Sequence, residues 1–114
     1  QTCADALARF ERLLDDYLSE GVAAREGLPS VRYFADKICL SPNYFGDLVK
    51  KETGKSAQEY IQLKMIDAAK ESLLDPDKTI GQVAGELGFQ YPQHFVRFFR
   101  RYAGCTPNQY RTRG

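Results

Sequence analysis

The chain has 114 residues, with 16 basic and 15 acidic side chains and a single histidine, for a net charge of +1. That length holds one small domain, a hydrophobic content of 43% supplies a core, no run is long and apolar enough to span a membrane, and nothing in the first residues reads as a signal peptide. Three cysteines, Cys3, Cys39 and Cys105, lack metal-ligand spacing and are odd in number, which excludes a disulfide framework and reads as reduced thiols in the cytoplasm.

Residues 1–30 predict an amphipathic helix followed by a loop. The helix, from about Ala4 to Ser19, places Leu7, Phe10, Leu14, Tyr17 and Leu18 on one face. It either packs on residues 31–55 or serves as a linker or dimerisation element. Gly21, Gly27 and Pro29 break the stretch from Glu20 to Ser30 into a loop, and Ser30 caps the next helix.

Residues 31–55 spell a helix-turn-helix. Such a unit crosses two helices at a steep angle over a short turn. Ala35 is the small residue at the crossing, and Cys39 stands four residues later, where a positive φ is favoured. Ser41 and Pro42 open the second helix, Phe45, Leu48 and Val49 grip the first, and Gly54 ends it. The outward face is then Asn43, Tyr44, Gly46, Asp47 and Lys50.

Residues 56–78 predict a long central helix. Ser56 and Glu59 have capping-box spacing, Ile61, Met65, Ala68, Ala69 and Leu73 form the buried side, and Asp75-Pro76-Asp77 closes the segment. A continuous helix here holds its two flanking segments at a set separation.

Residues 79–114 repeat the first unit. Val31, Ala35 and Ile38 recur 49 positions later as Ile80, Ala84 and Leu87, while Pro42, Phe45, Leu48, Val49, Lys50, Lys51, Gly54 and Tyr60 recur 50 positions later as Pro92, Phe95, Phe98, Phe99, Arg100, Arg101, Gly104 and Tyr110. Thr79 and Gln82 form another capping-box pair, Gly88 takes the turn position of Cys39, and Thr106-Pro107 opens a short last helix. Cys39 and Cys105 fall at helix junctions and are expected to be semi-buried. A single helix of this kind reads equally well as amphipathic with a solvated face. Two in the same register favour a pair of DNA readers.

Such helices enter the major groove with their N-terminal residues toward base edges. The candidate base-contacting residues are Asn43, Asp47, Gln93 and Arg97: Asn and Gln suit adenine, Arg suits guanine, and Asp accepts from cytosine. Candidate phosphate contacts are Ser41, Tyr44, Lys50, Lys51, Thr79, His94, Arg100 and Arg101. Thr79 is placed there because the helix it opens presents free N–H groups. His94 is read equally well as an ordinary exposed histidine. Charge is unevenly spread. Residues 1–30 carry three basic and six acidic groups, whereas residues 79–114 carry five arginines against Glu86 alone, a balance of +4. No nucleophile stands with a base at catalytic spacing, so an enzyme is not expected, nor a metal or cofactor.

From about Val31 to Arg111 the chain resembles the DNA-binding domain of AraC/XylS-type transcription regulators. The resemblance is carried by Ser41-Pro42-Asn43-Tyr44-Phe45, by Lys50-Lys51-Glu52-Thr53-Gly54-Lys55-Ser56, by Gly88-Phe89 followed by Phe95 and Arg97, and by Gly104-Cys105-Thr106-Pro107 with Tyr110-Arg111. It implies an all-α fold of about seven helices, in which a long central helix joins two helix-turn-helix subdomains. It also implies double-stranded DNA as partner, recognition helices in successive major grooves, activation of transcription through RNA polymerase, and an upstream effector or sensor domain. Relatives often carry long polar or basic residues where Gly46 and Asp47 stand, so the second unit is expected to be the anchor. The rival reading is a protein-interaction module that keeps the fold without specific DNA binding.

Overall fold

A computed structural model describes residues 3–113. Its eight helices, in chain order, are α1 (Cys3–Ser19), α2 (Val22–Glu26), α3 (Val31–Lys37), α4 (Pro42–Thr53), α5 (Ala57–Leu73), α6 (Ile80–Glu86), α7 (Pro92–Ala103) and α8 (Pro107–Arg113). The fold is all-α, with no strand among the described residues.

The first unit is built on α1. Phe10 is fully buried and meets Phe34 and Phe45 edge-on at 5.3 and 4.9 Å between ring centroids, so α1 is part of this unit's core and not a free linker. The segment expected to be a loop contains α2. Val22-Ala23-Ala24-Arg25-Glu26 forms a helix between Gly21, with φ 77°, and Gly27, with φ 94°. The two glycines delimit the helix instead of abolishing it, which raises the count from about seven to eight.

Helix starts follow the capping residues. Ser30, Ser41 and Ser56 each accept a hydrogen bond from the N–H three residues on, at 3.1, 3.2 and 3.1 Å. Thr79 and Gln82 form a reciprocal box, with Gln82 N–H donating to Thr79 Oγ1 at 3.0 Å and Thr79 N–H to Gln82 Oε1 at 2.7 Å. Thr106 and Gln109 make a second reciprocal box at the start of α8. Both inter-helix turns place a residue at positive φ, Cys39 with φ 62° and Gly88 with φ 96°. Cys39 is exposed there, not semi-buried, because its side chain leaves the turn toward solvent; Cys105 is buried.

Helix α5 threads both units. Its buried residues Ile61, Met65, Ile66, Ala69 and Leu73 join the apolar side chains into one connected cluster, from Ala6 on α1 to Phe99 and Cys105 beyond α6. At its C-terminus, the Arg111 guanidinium of α8 donates to the carbonyls of Leu73, Asp75 and Lys78 at 3.0, 3.4 and 2.6 Å. A cation there satisfies the Leu73 carbonyl, which the helix itself leaves without a partner, and ties the segment that follows to α8. Nearby, Lys78 Nζ pairs with Glu86 Oε2 at 3.0 Å while Ser72 Oγ donates to Glu86 Oε1 at 2.8 Å, fixing α6 to the end of α5.

Candidate nucleic-acid interface

Helix α4 owes its orientation to three buried side chains, Phe45, Leu48 and Val49, packed toward α1, α3 and α5. Asn43, Asp47 and Lys50 therefore point outward, with Gly46 and Lys51 beside them. Gly46 has open space where a Cβ would stand. Tyr44 is 55% exposed at the N-terminal end of the helix. Ser41 Oγ already accepts the Tyr44 N–H, so its hydroxyl proton is what it can offer a phosphate.

Helix α7 repeats this arrangement in the same register. Phe95 and Phe99 are fully buried, while Phe98 is only half-buried and lies against Phe89 and Tyr102 at 5.3 and 5.1 Å between centroids. Gln93, Val96, Arg97, Arg100 and Arg101 line a single shallow depression on the outer face. Arg101 also stacks its guanidinium over Tyr102, whose hydroxyl donates to Gln62. His94 lies off this depression, with its ring edge-on to Tyr91 at 5.4 Å. Thr79 sits at the start of α6, and its capping box uses two of that helix's four leading N–H groups.

All twelve candidate contact residues are exposed. Six lie on α4 or at its cap, five on α7, and Thr79 at the cap of α6, and the two longer helices differ in electrostatic character. Within α4, Lys50 and Lys51 are balanced by Asp47 and Glu52, whereas α7 carries three arginines and no acidic residue. Of the five arginines in residues 79–114, Arg97, Arg100 and Arg101 stand on α7, whereas the Arg111 guanidinium is held by backbone carbonyls at and beyond the end of α5. Sequence reasoning missed that role; helical spacing sets Val96 on the outward face with Gln93, His94, Arg97 and Arg100, but it was not counted among the candidate contacts, although it lines the same depression as Gln93 and Arg97. Among the described residues, no group of His, Cys, Asp or Glu is arranged to hold a metal ion, and no helix is long and apolar enough to cross a membrane.

A family model described as a helix-turn-helix domain matches residues 34–113. The chain belongs to the AraC-type helix-turn-helix DNA-binding domains. Its fold matches the crystal structure of an AraC-type transcriptional regulator from Chromobacterium violaceum, with a TM-score of 0.79 at 21% identity, covering 96% of this chain and 91% of that one. The DNA-binding domain of AdpA, a global transcriptional factor solved in complex with a target DNA, superposes with a TM-score of 0.73 at 22% identity, over 91% and 90% of the two chains. In sequence, the domain is 32% identical over 111 residues to the HTH-type transcriptional regulator YijO of Escherichia coli (strain K12), covering 97% of this chain. It spans 38% of that regulator's length, and between 10% and 29% of three other curated relatives.

Proposed function

We propose that this AraC-type domain binds double-stranded DNA sequence-specifically and activates transcription, with α4 and α7 seated in successive major grooves on one face of the duplex. The observation that carries the reading is the repeat in three dimensions: two 12-residue helices that bury corresponding residues, Phe45 with Phe95 and Val49 with Phe99, and expose corresponding polar ones, with Phe98 half-buried where Leu48 is buried. The molecule's long axis of 44 Å is sufficient to place two such helices about one helical turn, roughly 34 Å, apart. The working units are residues 31–55 and 79–114, set apart by residues 56–78.

Helix α7 is the anchor. Gln93 reads adenine and Arg97 guanine through paired hydrogen bonds, each contributing about 1–3 kcal/mol of discrimination. Val96 between them offers an apolar contact to a thymine methyl. Helix α4 reads less, through Asn43 on adenine and Asp47 on cytosine. Ser41, Tyr44, Lys50 and Lys51 hold the backbone on one side, and Thr79, His94, Arg100 and Arg101 on the other. The domain acts by binding alone, without catalysis or cofactor, in the cytoplasm where its DNA lies. The greater length of its relatives supports an upstream effector or sensor domain as partner, with RNA polymerase as the target of activation.

Selection of tight binders from a random-duplex pool at near-physiological salt tests this directly. Two short boxes about one helical turn apart are expected, and Arg97→Ala or Gln93→Ala should erase one of them. Asn43→Ala should cost less specificity than either; the reverse order defeats the assignment of α7 as anchor. The near-neutral charge of α4 and the net charge of +1 favour one second reading, a protein-interaction module. It predicts no enriched duplex and no salt-dependent affinity, whereas phosphate contacts make affinity fall steeply with salt.

A further inference from the structure

Besides their shared packing on α5, the two units meet where α2 lies against α6. Elsewhere between them, α1, α2, α5 and α6 border an open groove of about 760 Å³, with Asp15 and Leu18 on one wall, Asp67 and Glu71 on the floor, and Glu86 and Leu87 opposite. No packed core fills that space, so the direct bridge across it matters for how far one unit swings relative to the other.

The bridge is a backbone-to-backbone contact. A Cβ on Gly88 would stand 2.5 Å from both the carbonyl carbon and the oxygen of Gly27, and 2.7 Å from Leu28 N. The same Gly27 oxygen accepts a hydrogen bond from the Tyr17 hydroxyl at 2.7 Å. Tyr17 is in turn held in the first core, edge-on to Tyr33 and Phe34 at 4.9 and 5.6 Å. Gly27 is itself confined to glycine-type backbone, with φ 94° and ψ −164°. A continuous line of contacts therefore runs from the aromatic core of the first unit, through the Tyr17 hydroxyl and the Gly27 carbonyl, to the turn that precedes α7.

We infer that Tyr17, Gly27 and Gly88 form a latch that fixes the relative orientation of the two recognition helices, and with it the spacing and phase of the two DNA boxes the domain accepts. The positive φ at residue 88 is not by itself a reason for glycine, because Cys39 occupies the equivalent left-handed position in the first unit. There the side chain is exposed to solvent, whereas at residue 88 the backbone of Gly27 fills the space a side chain would need. These three are positioning residues; none of them lies on α4 or α7. The part of the inference that concerns box spacing rests on the two-groove reading, while the rigidity of the pair does not.

Backbone residual dipolar couplings of the DNA-free domain read the latch without any ligand. A single alignment tensor should fit both units of the native chain. In Gly88→Ala the new methyl displaces the α2–α3 turn, and the two units should require different tensors. Tyr17→Phe removes only the hydroxyl, leaves both turns intact, and should give a smaller divergence in the same direction. A single tensor retained in every variant that folds overturns the inference, as do two tensors in the native chain.

Duplexes whose boxes are moved apart by one base pair, a rotation of roughly 35°, supply the second readout. The native domain should lose about tenfold in affinity on that shift, because simultaneous engagement fails. Gly88→Ala should lose no more than about threefold, its looser units accepting either spacing. Equal spacing penalties in the native and variant proteins also overturn the inference. Diverging tensors with no duplex bound by any form would leave the latch standing and remove the DNA reading instead.

Discussion

Arg111 holds the fold, unlike the arginines proposed to contact DNA, and the difference is measurable. Arg111→Met keeps the apolar stem and deletes the fork that reaches Leu73 O, Lys78 O and Asp75 O. The Asp75 bond is long, at 3.4 Å, and exposed, so it is discounted. The other two are charge-assisted and partly buried, a class worth about 1.5–3 kcal/mol each when fully desolvated. Water reaches the vacated carbonyls in the variant, which lowers the net to about 1 kcal/mol apiece and the total to about 2 kcal/mol. For a domain of this size that is a fall in Tm of roughly 8 °C, read by far-ultraviolet circular dichroism or as a lower urea midpoint. Arg111→Lys should recover less than half, since a single ammonium cannot span the three carbonyls. The salt dependence of DNA affinity should be unchanged in Arg111→Met, whereas Arg100→Ala should shallow the log–log slope by about 0.9. A stability loss under about 0.5 kcal/mol, or a slope change like that of Arg100→Ala, would refute the reasoning and make Arg111 a phosphate contact.

Phe10→Ala removes the ring at the centre of the first core and should cost about 3–5 kcal/mol, with hydrogen-exchange protection lost in α3 and α4; full protection there would mean α1 is dispensable. Gly46→Ala fills open space within a helix and should raise stability by about 0.5–1 kcal/mol in urea unfolding, with destabilisation counting against the geometry of α4. Tyr60 donates to Glu11 Oε2 at 2.8 Å, and burial first, then that bond and the charges of Glu11 and Asp15, hold its phenol above the ordinary 10.0. The unfolded chain therefore releases this proton first as pH rises past about 10, and stability should fall with pH from there upward but not below it. Tyr60→Phe should flatten that alkaline limb, and an unchanged limb would assign it elsewhere, Tyr17 being the next candidate because burial raises its phenol too.

Features set by one residue and its near neighbours were the legible ones. Ser41 before Pro42, Thr79 three residues before Gln82, and glycines 54 and 104 after two apolar-periodic stretches locate helix ends through local hydrogen bonding and backbone conformation. What escaped was set by contacts between distant segments. Helix α2 has five residues, fewer than two turns, so no periodicity can announce it, and its flanking glycines read as breakers. Arg111 looks like one more basic residue of a DNA-facing tail until its guanidinium is placed against carbonyls 33 to 38 positions upstream. Ile66 beside Met65 on α5 was missed for a related reason: a helix packed by units on two sides buries a wider arc than one apolar stripe.

The two turns show how a repeat records constraint and its absence. Both copies need a residue at left-handed φ, and for an ordinary side chain that conformation costs on the order of 1–2 kcal/mol. In the first copy nothing further is demanded, and an exposed cysteine bears the cost. In the second copy the backbone of Gly27 lies where any Cβ would go, so a side chain there has to displace that backbone. A cysteine where the second copy has glycine thus reflects no weakness in the first helix-turn-helix unit. It marks the unit whose turn is free of the other, and the glycine in its partner marks the place where the two are joined.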